Sequence, residues 1–461
     1  MLRTLAIAWA TPEIRRRIQY VIAMFGVFVV GLHIPVPGIN SAAMERLFSQ
    51  GQIPFLQLLD VFSGGAFRRF TIFAMGITPY INASIIMQLL SAAIPALEEM
   101  RKEGEAGQKQ IAKYTRYLTA FLALFQALGL TVMLSNFGGA TPVFSADLFT
   151  RFQVCVSLTA GTCFLLWMGE MITEKGIGQG VSLIIFAGIM ARLPYDVGIT
   201  LRNFSWGGVG GGASVGPLNL LGLLLMFVAT VMGIIYVHLG TRRIPIQHAK
   251  KVVGNRVVQA QSSYLPFKVN VGGVIPIIFA ISLMMFPATI VTWLRNPNTQ
   301  SFWTQAAEWI QRYTTPGAHW VPSLLYALLI FVFTYFYAAI VINIPELTEN
   351  LKKYGSYVPG YRPGRPTQDY LDRVMTRITF AGAMFLAVVG LLQYYTGGIT
   401  GVHTFSLVGG TSLLIVVGVA LDTMQNLESH LVMRNYGGFI KAQAGGRRHG
   451  AAASLGSMRL S

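Results

Sequence analysis

The chain has 461 residues with 35 Lys and Arg against 18 Asp and Glu, which gives a net charge of +17. Yet only 11% of its residues are charged and 53% are hydrophobic. An ordinary soluble domain carries about 25% charged residues, so this composition excludes that class. The scarcity of charge and the high apolar fraction also exclude disorder for most of the chain.

Ten apolar stretches predict transmembrane helices, because a bilayer core of about 30 Å needs about 20 apolar residues in helical form. Backbone polar groups inside lipid must be paired within the segment, and a helix does this. The predicted spans are residues 18–34, 70–94, 117–134, 152–172, 177–191, 216–239, 271–294, 321–344, 378–399 and 405–421. The sequence therefore predicts an all-α polytopic membrane protein.

The basic residues indicate the orientation of these spans. Of the 35 Lys and Arg, 27 fall in the two terminal segments and the even-numbered loops, and 8 fall in the odd-numbered loops. The positive-inside rule places the first set, and hence both termini, in the cytoplasm. The predicted parts are a cytoplasmic N-tail (1–17), an N-terminal half (18–193), an outer hinge loop (194–215), a C-terminal half (216–421) with cytoplasmic loops at 240–270 and 345–377, and a C-tail (422–461) whose end we expect to be disordered.

Short motifs recur at corresponding places in the two sets of five spans. Gly76-Ile77-Thr78-Pro79 in the second span matches Gly273-Val274-Ile275-Pro276 in the seventh. The fifth and tenth spans share Gly-x-Ser-Leu-x-Ile, beginning at Gly180 and Gly410. Since each half has an odd number of spans, duplicated halves insert with opposite topology. Spans interrupted by Gly and Pro at matching positions indicate a central pathway between the halves.

The spans themselves narrow the possible functions. Glu170 is their one acidic residue, near a predicted helix end, whereas ion pumps need charges within the membrane. No nucleophile elbow, nucleotide-binding or metal-ligand motif is present, so the sequence predicts neither an enzyme nor a cofactor. The inverted repeat alone leaves a secondary transporter as the alternative to an apolar pore.

The two long cytoplasmic loops are strongly basic, which allows two interpretations. Basic residues there can set topology and attract anionic lipids, or they can bind an anionic partner such as RNA or an acidic protein. Pro363 and Pro366 stiffen the second loop and fix where its arginines point, which favours docking. The candidate docking residues are Arg242, Arg243, Lys250, Lys251, Arg256, Arg362 and Arg365.

The outer stretch between the first two spans is mildly apolar over residues 56–67 and too short to cross a bilayer. A re-entrant segment inside the protein and an amphipathic surface turn explain it equally well.

The motifs together resemble those of the SecY family, the channel subunits of the bacterial Sec protein translocon, over about residues 10–440. The residues that carry the resemblance are Phe62-Ser63-Gly64-Gly65, Gly76-Ile77-Thr78-Pro79-Tyr80-Ile81, Lys102-Glu103-Gly104-Glu105, Tyr114-Thr115-Arg116-Tyr117, Gly176-Ile177-Gly178-Gln179-Gly180, Arg242-Arg243-Ile244-Pro245, Pro359-Gly360-Tyr361-Arg362-Pro363-Gly364 and Gly409-Gly410-Thr411-Ser412-Leu413-Leu414-Ile415. The resemblance implies ten transmembrane helices in two inverted five-helix halves around a central pore. Such a channel passes unfolded secretory polypeptides across the cytoplasmic membrane and releases transmembrane segments sideways into lipid.

The resemblance also implies the functional residues. The apolar pore ring would consist of Ile77, Ile81, Ile185, Ile278 and Ile415. The plug, at about residues 55–69, would include Phe62, Ser63, Gly64 and Gly65. The lateral gate would use Asn82, Gln126 and Ser282 as polar contacts. Arg68-Arg69 departs from the family, which often has one basic residue there, and this leaves the polarity of the plug hinge open.

The implied partners are the small membrane subunits SecE and SecG, the SecA motor ATPase, the ribosome through its rRNA, signal peptides, unfolded preproteins and anionic lipids. Arg362 would meet the motor or the ribosome, and the basic residues of loop 240–270 would form a second docking surface.

Overall fold

The computed structural model describes residues 7–40, 43–44, 60, 63–137, 147–204, 216–248, 251–253, 256–258, 262–294, 309, 313, 319–401 and 410–432. Predicted features on other residues, including Phe62, Lys250 and most of the plug before Ser63, lie outside this description.

Helices occupy all ten predicted spans. They are α1 (Pro12–Gly31), α2 (Thr78–Ala93), α4 (Glu105–Phe137), α5 (Leu148–Lys175), α6 (Gly180–Arg202), α7 (Pro217–Leu239), α8 (Ile275–Leu294), α9 (Trp320–Val341), α11 (Arg365–Thr400) and α12 (Gly410–Val432). Two short helices follow spans, namely α3 (Pro95–Lys102) and α10 (Ile344–Lys353). Among the described residues, seven helices are long and apolar enough to cross a membrane, and α2 with α3 makes an eighth.

The second span differs most from its prediction. Residues 70–77 form turns, and α2 begins only at Thr78. Gly76 has a φ of +57°, which ends any regular structure before it, and Pro79 lies in the first turn, where its missing N–H costs no hydrogen bond. At its other end α2 meets α3 at an angle of 99°, with Pro95 starting the new helix.

Two other boundaries also lie beyond the predicted positions. Helix α6 continues through Pro194 to Arg202, so the outer hinge loop begins after Arg202 rather than at residue 194. Helix α12 continues to Val432, so the first part of the predicted C-tail is helical. Apolar counting ended both spans too early because charged residues continue the helices beyond the apolar run.

The all-α prediction holds for the spans, whereas the loops between them contain strands. The strands β1 (Thr241–His248), β4 (Ser262–Lys268) and β5 (Ser356–Tyr357) form one antiparallel sheet in the order β4-β1-β5. A second hairpin pairs β2 (Lys251–Val253) with β3 (Arg256–Val258). Alternation of buried Ile244 and Ile246 with exposed neighbours along β1 gives the sheet one apolar face.

The halves meet in one central apolar cluster to which both contribute buried side chains. Helix α8 of the C-terminal half packs against α2 and α4 of the N-terminal half. A smaller cluster, which includes Phe67, Phe70 and Leu158, lies within the N-terminal half. The helices thus surround a centre that is lined by apolar residues of both halves.

Candidate functional site

All five predicted ring isoleucines belong to the central cluster. Ile77, Ile185 and Ile415 are buried, with exposed fractions of 6%, 7% and 1%, and Ile81 and Ile278 pack against the same cluster with partial exposure. Four different helices or helix starts therefore bring branched apolar side chains to one place. A ring of this kind excludes ions by dewetting.

The space beside three of the predicted ring residues is small. A cavity of about 10 Å³ lies between Ile77, Ile81 and Ile185, and Ser63 of the predicted plug lines its wall. That volume is close to what one water molecule needs. Three of the predicted ring isoleucines and the described end of the predicted plug thus line the same small cavity.

The two halves build the ring in the same way. Gly76 and Gly273 have φ values of +57° and +59°, and in both cases a helix begins two residues later with Pro in its first turn. The backbone N–H of Ile81 bonds to Ile77, and that of Ile278 bonds to the equivalent Val274. Positive φ is easy only for glycine, so the repeated motif encodes a repeated helix start.

The fifth helices of the halves also begin alike. A Cβ on Gly180 would lie 1.9 Å from the carbonyl oxygen of Gly169, and one on Gly410 would lie 1.7 Å from that of Val389. Each of these helices therefore starts with a glycine pressed against the preceding span. This contact fixes the depth at which Ile185 and Ile415, five residues later, reach the centre.

Residues 63–69 of the predicted plug form hydrogen-bonded turns. The backbone N–H of Gly65 donates to the carbonyl of Asp60 at 2.9 Å, and Ser63 Oγ accepts from the N–H of Phe67 at 3.1 Å. Gly64 (φ +71°) lies so close to Gly188 of α6 that a Cβ would be 2.7 Å from the Gly188 oxygen. Gly64 of the predicted plug therefore lies directly against the backbone of α6.

Sequence reasoning missed a buried charge network beside the plug. Arg192 on α6 lies 3.2 Å from Asp60 Oδ2 through Nη1 and 3.3 Å from Asp196 Oδ1 through Nε, and both aspartate side chains are at most 6% exposed. Burial raises the pKa of Asp60, and the opposing attraction of Arg192 only partly offsets this. The early end assigned to the fifth span had placed Asp196 in an outer loop.

The predicted gate residues lie on helices that do pack together. Asn82 lies on α2, Gln126 on α4 and Ser282 on α8, and α8 packs against both of the other helices. No hydrogen bond joins these three residues, each of which lies in the described part of the chain. Their role as polar contacts of a gate stays a prediction.

A different residue does bond between the halves. Arg101 at the end of α3 donates from Nη2 to the carbonyl oxygen of Ile340 at 2.8 Å. That carbonyl belongs to the last turn of α9, where helical carbonyls lack partners and cations are favoured. Arg101 lies in the last turn of a helix that begins with a proline, and the sequence around it did not indicate a contact with α9.

The two predicted docking loops form a single unit. Strand β1 of the first loop pairs with β5 of the second, and His248 Nδ1 lies 2.7 Å from Ser356 Oγ. Beneath the sheet, Ile244 and Phe267 pack with Val358 and other apolar residues of the second loop and α11. The predicted docking residues that have described side chains are all exposed, namely Arg242, Arg243, Arg362 and Arg365. Lys251 and Arg256 lie on the β2–β3 hairpin.

Within the described ranges, no group of three or more His, Cys, Asp or Glu side chains could hold a metal ion. The residues that converge are apolar at the centre, charged at the plug and basic on the joined loops.

Comparisons with known proteins agree on one family. The SecY family model matches residues 71–424. The protein translocase subunit SecY of Thermotoga maritima is 45% identical over 94% of this chain and 96% of its own. The corresponding subunit of Halalkalibacterium halodurans is 42% identical over 96% of this chain and 100% of its own.

Solved structures with the same fold are protein channels. One described as a protein conducting channel has a TM-score of 0.61 at 16% identity and covers 91% of this chain and 93% of its own. A SecY structure described as having a plug domain that stabilises the closed state has a TM-score of 0.58 at 18% identity, covering 91% and 92%. Canine Sec61 in a ribosome-channel complex has a TM-score of 0.58 at 16% identity, covering 91% and 93%.

Proposed function

The chain belongs to the SecY family, and on this premise we propose that it is the central channel subunit of a protein translocase. It passes unfolded secretory polypeptides across the cytoplasmic membrane of a bacterium and releases transmembrane segments sideways into lipid. The observation that carries this proposal is the molecular centre, where Ile77, Ile81 and Ile185 of one half and Ile278 and Ile415 of the other join one apolar cluster. Branched apolar side chains seal it against ions, yet they can rotate aside for a chain of any sequence because they form no specific polar contact.

The plug residues Phe62, Ser63, Gly64 and Gly65 fill the outer side of the ring at rest in this proposal. The contact of Gly64 with Gly188 and the presence of Ser63 in the ring cavity support that placement. A translocating chain then has to displace two barriers, the plug and the ring.

Sideways release uses the seam where α8 meets α2 and α4. Asn82, Gln126 and Ser282 are the polar residues we assign to it. Interhelical hydrogen bonds in membranes are worth only about 0.6 kcal/mol on average, so an apolar signal helix can compete for such a seam. The bond of Arg101 to Ile340 adds a closing contact at one end.

The basic face of the joined loops 240–270 and 345–377 lies in the cytoplasm, with both termini, in this proposal. The distribution of Lys and Arg supports this orientation. Arg242, Arg243, Lys250, Lys251, Arg256, Arg362 and Arg365 form the docking surface for the SecA motor and for ribosomal RNA, with anionic lipids as further contacts. The resemblance to a channel in a ribosome complex supports the ribosome as a partner, and SecE and SecG complete the complex.

The transporter alternative finds no support among the relatives, which are translocase subunits and protein channels. To test the proposed function, the purified complex is reconstituted in vesicles with the motor ATPase, ATP and an unfolded preprotein. We expect the preprotein to become protected from external protease. ATP-independent accumulation of a small solute under an ion gradient, without protected preprotein, would overturn the proposal.

A further inference from the structure

One face of α6 is dedicated to the base of the plug. Gly188, Arg192, Tyr195 and Asp196 follow one another at helical spacing, so they share a side of the helix. The first of them touches the Gly64 backbone, and the next meets the Asp60 carboxylate at 3.2 Å. A backbone contact at Gly188 and a charge at Arg192, four residues further along α6, thus hold one short segment.

Asp60 organises that segment from inside. Its Oδ1 accepts the backbone N–H of Arg68 at 2.8 Å, and its carbonyl accepts the N–H of Gly65 at 2.9 Å. Its other carboxylate oxygen is the one that faces Arg192. The turn from Asp60 to Arg68 and its attachment to α6 therefore depend on the same side chain.

The contact between α6 and the turn from Asp60 to Arg68, here called the seat, holds one arginine and two carboxylates. Arg192 lies between the carboxylates of Asp60 and Asp196, which repel one another, and its side chain is only 17% exposed. Removing one member of a buried ion pair leaves the remaining charge without compensation, which costs far more than the pair contributes. Without Arg192, two buried carboxylates would face each other across the plug contact.

A second contact strengthens the same attachment. The Arg68 guanidinium lies 5.0 Å from the centre of the Tyr195 ring and donates a hydrogen bond to its hydroxyl. Both groups line an open cavity of about 590 Å³ with Asp60 and Arg192, so water and ions reach the seat from outside the helix bundle.

We propose that Arg192 is the positioning residue that seats the plug, by neutralising Asp60 and Asp196 where the plug rests on α6. This inference rests on the proposed function, because it assumes that the segment closes the channel. When a polypeptide pushes the plug aside, Asp60 regains water, which lowers the cost of release, and the helix keeps its own Arg192–Asp196 pair.

The test measures ion conductance of the reconstituted complex at rest in planar bilayers. Arg192→Gln should raise the resting conductance by at least roughly tenfold, because the seat becomes repulsive. Adding Asp60→Asn to that variant should restore a low conductance, since it removes the repulsion with Asp196. Arg202→Gln, on the exposed end of the same helix, is the matched control and should leave conductance unchanged.

The rescue separates positioning from a general structural role. A fold damaged by loss of Arg192 would not recover when a second charged residue is removed, so thermal unfolding of each variant is measured in parallel. An Arg192→Gln complex with background conductance would overturn the proposal. A variant with glycine at a predicted ring isoleucine distinguishes failure of this inference from failure of the proposed function. If that variant also fails to conduct, the channel function itself is wrong. If it conducts, only the role of Arg192 is wrong.

Discussion

Ile81 and Ile278 occupy equivalent places in the two halves of the molecule. Each lies five residues after a glycine with a φ near +58°, and each donates its backbone N–H to the residue four positions earlier. The two side chains pack against the same central cluster. The predicted ring is therefore built symmetrically at these two positions, although Ile77 has Val274 as its equivalent.

This symmetry predicts equal effects at the two positions. Ile81→Ser and Ile278→Ser should each raise ion conductance at rest, and the double variant should leak more than either, because hydroxyls let water wet the constriction. Single-channel recording of the reconstituted complex measures this. Ile22→Ser on the exposed side of α1 is the control. Equal, background conductance in all four proteins would remove these isoleucines from the ring.

Loss of the contact between Arg101 and Ile340 should ease opening of the seam. Arg101→Gln removes a charge-assisted hydrogen bond to the end of α9, which we expect to weaken the closed state by about 1 kcal/mol or more. Export of a precursor with a weakened signal sequence should then increase. Lys102→Gln breaks only an exposed pair with Glu98 and should have no such effect. Identical export by both variants would contradict a closing role for Arg101.

The packing of α12 against α11 predicts a contrast between two glycines. Gly410→Ala places a Cβ 1.7 Å from the Val389 oxygen, so the helices must separate, at a cost of about 1–3 kcal/mol. Gly398 lies on α11, and a Cβ there would have no atom within 4 Å, so Gly398→Ala should be neutral or slightly stabilising. Thermal unfolding in detergent compares them. A Gly410→Ala protein as stable as the Gly398→Ala protein would show that this approach is not required.

If the joined basic loops are a docking surface, reversing the charge of Arg362 should impair translocation more than reversing the charge of Arg373. Arg362→Glu should abolish motor-driven translocation and leave membrane insertion of the protein intact, since Arg362 lies exposed on the rigid loop beside β5. Arg373→Glu makes the same charge change on the exposed side of α11 and should retain most activity. The vesicle protection assay reads both. Full translocation by the Arg362 variant would take that residue out of the docking surface.

Asp60 predicts a pH dependence of the seated plug. Its pKa is raised above 3.8 by burial when seated, so the seated state binds the proton more tightly than a displaced plug in water. Seating is therefore strongest at low pH and weakens as pH rises through the raised pKa. The charged groups that face this carboxyl are Arg192, Arg68 and Asp196, with His33 lining the same cavity.

The measurement uses a variant whose predicted ring conducts ions at rest, such as Ile81→Ser, in which His33 is also changed to Gln. Acidifying the outer solution toward pH 4 should lower its conductance, because the plug then closes the widened ring more often. Asp60→Asn in the same background should abolish this dependence. A conductance that rises with acid in the Asp60 protein would reverse the inferred sign.

Much of the fold follows from local sequence properties. All ten predicted spans contain helices, because an apolar run of membrane length has one way to pair its backbone in lipid. The Gly-x-x-Pro motifs indicated the duplicated halves, and the structure places an equivalent helix start at each of them, since positive φ and a first-turn proline are local requirements. The predicted helix ends were wrong where charged residues continue a helix, as Arg192 and Asp196 do in α6.

By itself the sequence determined where the ten apolar spans lie, the duplicated halves and the family. Only the tertiary structure decided which distant residues meet: Arg101 with Ile340, 239 positions apart, and Arg68 with Tyr195, 127 apart. It also decided that two separate basic loops share one sheet. The physical reason is that helix formation in lipid depends on neighbouring residues, whereas a buried charge or a strand edge takes its partner from whichever segment the packing brings near.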